Sequence, residues 1–208
     1  MKKIFVLIIT FNLFIISIFG QNESPFTGGV RAGFTASQIS GDELSGWHKM
    51  GAYAGGFVNF PVSENRKWKL QGEINFIMKG SNKFITARKD GTIPNKYILT
   101  LMYVEVPFFA KYQPVKWFEV EAAPALNVLF FAREKDANGV MPGRQAFRPL
   151  EFSFIAGFSF IIKEHFGINV RWSTSVIPVR VPDGEHSQIR IRKKQYNDVI
   201  ATSLYYEF

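Results

Sequence analysis

The residues of this chain whose types and spacing could do chemistry are Arg31, Glu73, Lys79, Glu105, Lys111, Glu119, Glu121, Glu151 and Arg171. Each sits on the polar side of a run in which polar and apolar residues alternate. Opposite charges at two-residue spacing allow two things: a path for ions, or a set of pairs that neutralise one another. Catalysis needs more, a nucleophile or base set among partners. The histidines are His48, His165 and His186, and none has a second histidine or a carboxylate at metal-ligand spacing. His186-Ser187 falls in a stretch rich in Pro, Asp and Gly and reads as solvated loop. No phosphate-binding or dinucleotide motif is present, so the sequence points to no enzyme, no cofactor and no metal.

The elements that position these charges are strands. In residues 97–132, Val104, Val106, Phe108, Ala110 and Tyr112 share one face and Glu105, Phe109 and Lys111 the other, with a connection expected at Gln113-Pro114-Val115-Lys116. Beyond it, Phe118, Val120, Ala122, Leu126, Val128 and Phe130 oppose Glu119, Glu121 and Asn127. Period-two alternation marks strands, because successive side chains point to opposite faces of a sheet. The same pattern recurs over 27–37, 49–60, 68–81, 150–162, 166–176 and 196–208, which makes eight strands. These runs reach or exceed the roughly 9–11 residues that a membrane-spanning strand needs. Pro107 and Pro124 each delete a ladder donor within a strand and predict a bulge or bend there.

Connections after strands two, four and six are short (61–67, 113–116, 163–165). Those after strands one, three, five and seven are long and polar (38–48, 82–96, 133–149, 177–195). That asymmetry is the mark of an outer-membrane barrel with periplasmic turns and extracellular loops. The chain begins with Met1-Lys2-Lys3, a nearly unbroken apolar run over 4–19, and Gly20-Gln21, which reads as a secretory signal peptide cleaved after Gly20. The expected organisation is therefore a signal peptide over 1–20, a short periplasmic lead over 21–26 and one barrel over 27–208. With no cysteine, disulfides and a lipid-modified N-terminus are excluded. The net charge is +8, and loss of Lys2 and Lys3 lowers it by two, to +6. No recognition helix or RNA-binding signature accompanies that charge, and export argues further against nucleic acid.

Alternation alone does not say which face points inward. A soluble barrel of lipocalin type would enclose the apolar face around a ligand. Against it stand the mixed charges of the polar face, suited to a paired interior, and aromatic residues at strand ends (Trp68, Tyr97, Tyr112, Trp117, Phe118, Phe130, Phe166, Tyr196, Phe208), as in interfacial girdles. The fold class expected is all-β, an eight-stranded antiparallel up-and-down transmembrane β-barrel. Its interior holds side chains and little else at this strand number, so a wide channel is excluded and the charges form a network.

Several segments resemble one family. They are Gly29-Val30-Arg31-Ala32-Gly33-Phe34-Thr35, the Tyr53 to Pro61 strand, Leu70-Gln71-Gly72-Glu73-Ile74 with Lys79-Gly80, Tyr103-Val104-Glu105-Val106-Pro107 with Lys111-Tyr112, and Phe118-Glu119-Val120-Glu121-Ala122-Ala123-Pro124. Over nearly all of the mature chain this is similar to the PorT-like outer-membrane β-barrel proteins of Bacteroidetes. The resemblance implies a small outer-membrane barrel of a diderm cell. It also implies that Leu204, Tyr206 and Phe208 form the terminal signal read by the barrel-assembly machinery during biogenesis. Because the family spans many roles, including one in protein secretion, it transfers no function.

The function expected is that of a non-enzymatic outer-membrane protein, structural or surface-binding through its long loops. The alternatives are a narrow pore for small ions and an accessory subunit of a secretion or assembly complex. The loops are basic, with Arg88, Lys89, Arg133, Arg144, Arg148 and Arg180 and the cluster Arg190, Arg192, Lys193 and Lys194. Outer-membrane lipid and lipopolysaccharide phosphates are the partners that such a cluster attracts, beside a solvated surface as the plain alternative. An unidentified protein partner at the loops is the remaining candidate.

Overall fold

The computed structural model describes residues 26–40, 46–63, 65, 67–83, 97–136, 139–140, 147–180 and 194–208. Eight long strands run in chain order: β1 Thr27–Ser40, β2 Lys49–Pro61, β3 Trp68–Lys83, β4 Tyr97–Val115, β5 Phe118–Asp136, β6 Leu150–Lys163, β7 Phe166–Ser175 and β8 Tyr196–Glu207. Every neighbour pairing is antiparallel, and β1 pairs with β8 from Gly29↔Glu207 to Ser40↔Tyr196, which closes the sheet into a barrel. Closure removes the free edges that an open sheet would expose. Residues Gly139–Val140 add a two-residue extension to the outer end of β5. The first strand begins and the last ends beside the short turns, where the Phe208 N–H donates to the Gly28 carbonyl at 2.8 Å.

The polar face points inward. Val30, Phe34, Ile74, Phe108, Phe152 and Leu204 are exposed on the outside, while Arg31, Glu73, Glu105, Asn127, Glu151 and Arg171 are buried. The lipocalin-like arrangement is thereby excluded. Aromatic rings gather at the turn end of the wall: Phe26 with Phe60, Trp68 with Tyr112 at 4.7 Å, Trp117 with Phe118 and Phe160, and Tyr206 with His165 and Phe208. Amphipathic rings favour this depth, between hydrocarbon and water.

Three expectations need correction. The connection between β4 and β5 is tighter than 113–116, because Val115 pairs with Phe118 and leaves Lys116-Trp117 as the turn. Neither proline makes a bulge. Pairing of β3 with β4 passes from Gly72↔Phe108 to Asn75↔Glu105, and that of β4 with β5 from Pro107↔Ala125 to Ala110↔Ala122, without a change of register. Proline removes a donor there and the ladder is skipped, whereas the register shifts fall at Met102/Tyr103 and Tyr112/Val115. Tyr97 is no girdle residue. It is buried inside the barrel and its hydroxyl donates to Glu134 Oε1 at 2.5 Å.

Candidate functional site

The interior is built in layers. The central layer is organised by Arg171, carried on the inward face of β7. Its Nε donates to Glu121 Oε1 at 2.5 Å, one terminal nitrogen to Glu73 Oε2 at 2.7 Å and the Tyr53 hydroxyl at 2.8 Å, and the other to Glu73 Oε1 at 2.8 Å and Glu121 Oε2 at 3.2 Å. All five guanidinium donors are thus used. Its plane also lies over the Phe109 ring, 4.0 Å from the centroid. Arg31 reaches the same Glu73 at 3.0 Å and donates to Asn169 at 3.1 Å. Gln71 and Asn75 complete the Glu73 carboxylate.

Toward the turns, Lys111 pairs with Glu119 at 2.5 Å and Glu121 at 3.3 Å and donates to Gln71 at 2.8 Å, while Lys69 reaches Glu119 at 3.4 Å. Toward the loops, Lys79 pairs with Glu151 at 2.8 Å and Glu105 at 3.7 Å and donates to Asn127, and Asn197 donates to the other oxygen of Glu151 at 2.5 Å. The nine charged residues singled out from the sequence therefore all point inward and all join this network. The residues singled out left aside Lys69 and the uncharged Gln71, Asn75, Asn169, Asn197 and Tyr53, though each occupies the same inward parity and is found by it. Five cations (Arg31, Lys69, Lys79, Lys111, Arg171) face five carboxylates (Glu73, Glu105, Glu119, Glu121, Glu151), so the network is neutral as a whole. Removing an ion from water costs several kcal/mol, and only close pairing with further hydrogen bonds offsets that.

Above the network the interior turns apolar. Ile39, Ile77, Leu99, Leu101, Tyr103 and Val199 pack together, with Phe147 against them. Above this cluster, the Arg180 side chain is 1% exposed, pairs with Glu134 at 3.3 Å and lies 4.5 Å from the Phe147 ring centroid. Arg180 was expected among the basic loop residues. Its backbone pairs with Gln195, which draws the start and end of the β7–β8 connection together and turns the side chain inward. At the other end, a cavity of about 250 Å³ opens to the turn side, lined by Arg31, Asn59, Lys69, Lys111, Glu119, Tyr205 and neighbouring residues.

Of the cluster Arg190, Arg192, Lys193 and Lys194, the first three lie outside the described residues, and Lys194 is exposed. The expected signal peptide, the lead before Phe26 and His186 also lie outside them. Leu204, Tyr206 and Phe208 are exposed along the outer face of the closing strand. Among the described residues, no group of three or more His, Asp or Glu could hold a metal ion.

Comparison with known proteins agrees with this geometry. A family model described as outer membrane protein beta-barrel domain matches residues 19–180. Among solved structures, the chain is similar to Ail, the attachment invasion locus protein of Yersinia pestis, seen in complex with the heparin analogue sucrose octasulfate. Identity is 10% and the TM-score 0.54, over 88% of this chain and 99% of that one. It is also similar to Neisserial surface protein A, with 9% identity, a TM-score of 0.46, and 90% and 100% of the two chains covered. A third is the outer membrane protein OprG from Pseudomonas aeruginosa, with 13% identity, a TM-score of 0.40, and 88% and 95% covered. Identities this low speak to fold alone. No curated protein matches the sequence.

Proposed function

The chain belongs to the outer membrane protein beta-barrel domain family and resides in the outer membrane, and on that premise we propose a non-enzymatic barrel that acts at the cell surface through its long loops. The carrying observation is the filled interior. A neutral network of five cations and five carboxylates occupies the middle, and an apolar cluster with the Arg180–Glu134 pair sits above it. Water and ions have no ready path through such layers, so what distinguishes this barrel falls to the loops, where binding residues on a rigid scaffold usually lie. The 250 Å³ cavity at the periplasmic mouth favours the narrow-pore reading. Purified, refolded Gln21–Phe208 in a planar lipid bilayer separates the two. The expected result is conductance at background, and discrete reproducible steps would make the protein a small pore.

The finer family reading is a PorT-like barrel of Bacteroidetes with a signal peptide cleaved near Gly20, inserted by the barrel-assembly machinery through its Leu204, Tyr206 and Phe208 terminus. Tyr103 to Pro107 and Phe118 to Pro124 support that kinship most. For the loops, the proposed ligand is the phosphate of outer-leaflet lipopolysaccharide at Arg190, Arg192, Lys193 and Lys194. Cations at a membrane surface each contribute about 1 kcal/mol toward anionic head groups. Changing all four to Ser is expected to lower the lipopolysaccharide that co-purifies with the barrel, and unchanged retention would exclude this contact. An accessory role in a secretion complex would be recognised by a large partner that co-purifies with the barrel.

A further inference from the structure

The outer wall carries a groove that the surface-loop reading does not use. It has a volume of about 530 Å³ and opens on the lipid side across β2 to β5. Exposed Val58, Phe60, Leu70 and Phe108 form its walls, while its floor is made by small residues, Gly72, Ala110 and Ala122, beside Pro124. Gln71 and Phe109, whose side chains are buried, also border it. The β3–β4 and β4–β5 ladders are both skipped at this level, next to Pro107 and Pro124. Elsewhere the outer face is filled by rings such as Phe152, Phe154 and Phe160.

Depth and charge identify an occupant. The groove lies on the periplasmic half of the wall, bounded at its turn end by the Phe26–Phe60 and Trp68–Tyr112 ring pairs. The exposed Lys67 stands directly beyond Trp68. From Lys67 to Gly72 the strand advances about 16 Å, which at a tilt near 40° is about 12 Å along the membrane normal. One leaflet of hydrocarbon is about 15 Å thick. We propose that the groove holds one acyl chain of an anionic glycerophospholipid of the periplasmic leaflet, with Lys67 at its phosphate and Trp68 at the head-group level. An aqueous partner cannot reach this surface.

The test uses the refolded mature chain in nanodiscs of phosphatidylglycerol and phosphatidylcholine, transferred to detergent, with bound lipid counted by native mass spectrometry. The parent is expected to retain one phospholipid, with phosphatidylglycerol preferred. Gly72→Leu fills the floor. A Cβ at Gly72 would meet nothing closer than the Phe108 ring at 3.8 Å, so the wall accepts it. Ala110→Leu fills the same space from β4 and guards against a folding defect in the first variant, with folding of both checked by heat-modifiable migration. Each is expected to lower occupancy at least about fivefold, the effect of roughly 1 kcal/mol. Lys67→Ser should keep a lipid and lose the preference for phosphatidylglycerol. Unchanged occupancy in both leucine variants, or a dimer mass with no bound lipid, would overturn the proposal. Neither outcome depends on conductance or on the loops.

Discussion

Arg171→Met is expected to cost the folded barrel about 3–5 kcal/mol, the usual effect of removing one partner from a buried ion pair. The wild-type guanidinium satisfies Glu73 and Glu121 together and has no donor to spare. Without it, Glu73 keeps one cation, Arg31, beside the Gln71 and Asn75 amides, and Glu121 keeps Lys111 beside the Asn169 amide, so two buried carboxylates share diminished compensation. The measurement is the urea midpoint of unfolding in lipid vesicles, followed by tryptophan fluorescence. A midpoint equal to the parent's would mean that water already screens this layer. Arg171→Met with Glu121→Leu restores the balance at four cations and four carboxylates, and it should recover more than half of the loss. That coupling between two residues in contact is what a double-mutant cycle isolates. Arg171→Lys should fall between, since an ammonium offers three donors where five are used.

The same residue shows what was legible in the sequence and what was not. Alternation in period two located all eight strands, and the inward parity of Arg171 followed once the polar face was assigned to the interior. Its partners did not follow. Glu73 is 98 residues away in sequence and Tyr53 is 118 away, and only the closed ring with its register brings them together. The outer half of the interior was hidden for another reason. Over Tyr97 to Val104 both faces are apolar apart from Thr100, so alternation carries little contrast, and nothing marks Leu99 and Leu101 as facing inward. Arg180 lies in a connection whose length and polarity suggested solvent, and only its backbone pairing with Gln195 turns it into the mouth. Pro107 and Pro124 each lie where a ladder is skipped, and of the expected bulge or bend the bulge is absent. A missing donor leaves a gap, and register shifts only if an extra residue is also inserted.

Glycine placement was the least legible feature, and it carries the second large effect. Gly33→Ala is expected to impair closure of the barrel severely, while Gly56→Ala should change little. A Cβ added at Gly33 would lie 2.0 Å from the Thr202 carbonyl oxygen and 2.6 Å from the Ser203 Cα, both backbone atoms of β8 across the closing seam. No rotamer change can relieve that contact, so the two strands must part. Overpacking in ordinary cores costs about 1–3 kcal/mol, and a backbone clash belongs at or beyond the top of that range. At Gly56 the nearest atom to an added Cβ is the Gly29 carbonyl oxygen at 3.7 Å, an ordinary contact, which leaves a change within about 0.5 kcal/mol. At Gly29, Gly33, Gly51 and Gly55 an added Cβ would come within 3 Å of backbone or side-chain atoms of the neighbouring strands. At Gly51 the missing side chain lets the Thr35 hydroxyl reach past β2 and donate to the Met78 carbonyl on β3 at 2.6 Å. Nothing in the sequence alone marks these glycines as points of close approach. In the barrel they are the positions where strand one can approach strand three and meet strand eight. Refolding yield by heat-modifiable migration and the urea midpoint read both variants. Equal values for the two would remove the argument that the seam depends on glycine at position 33.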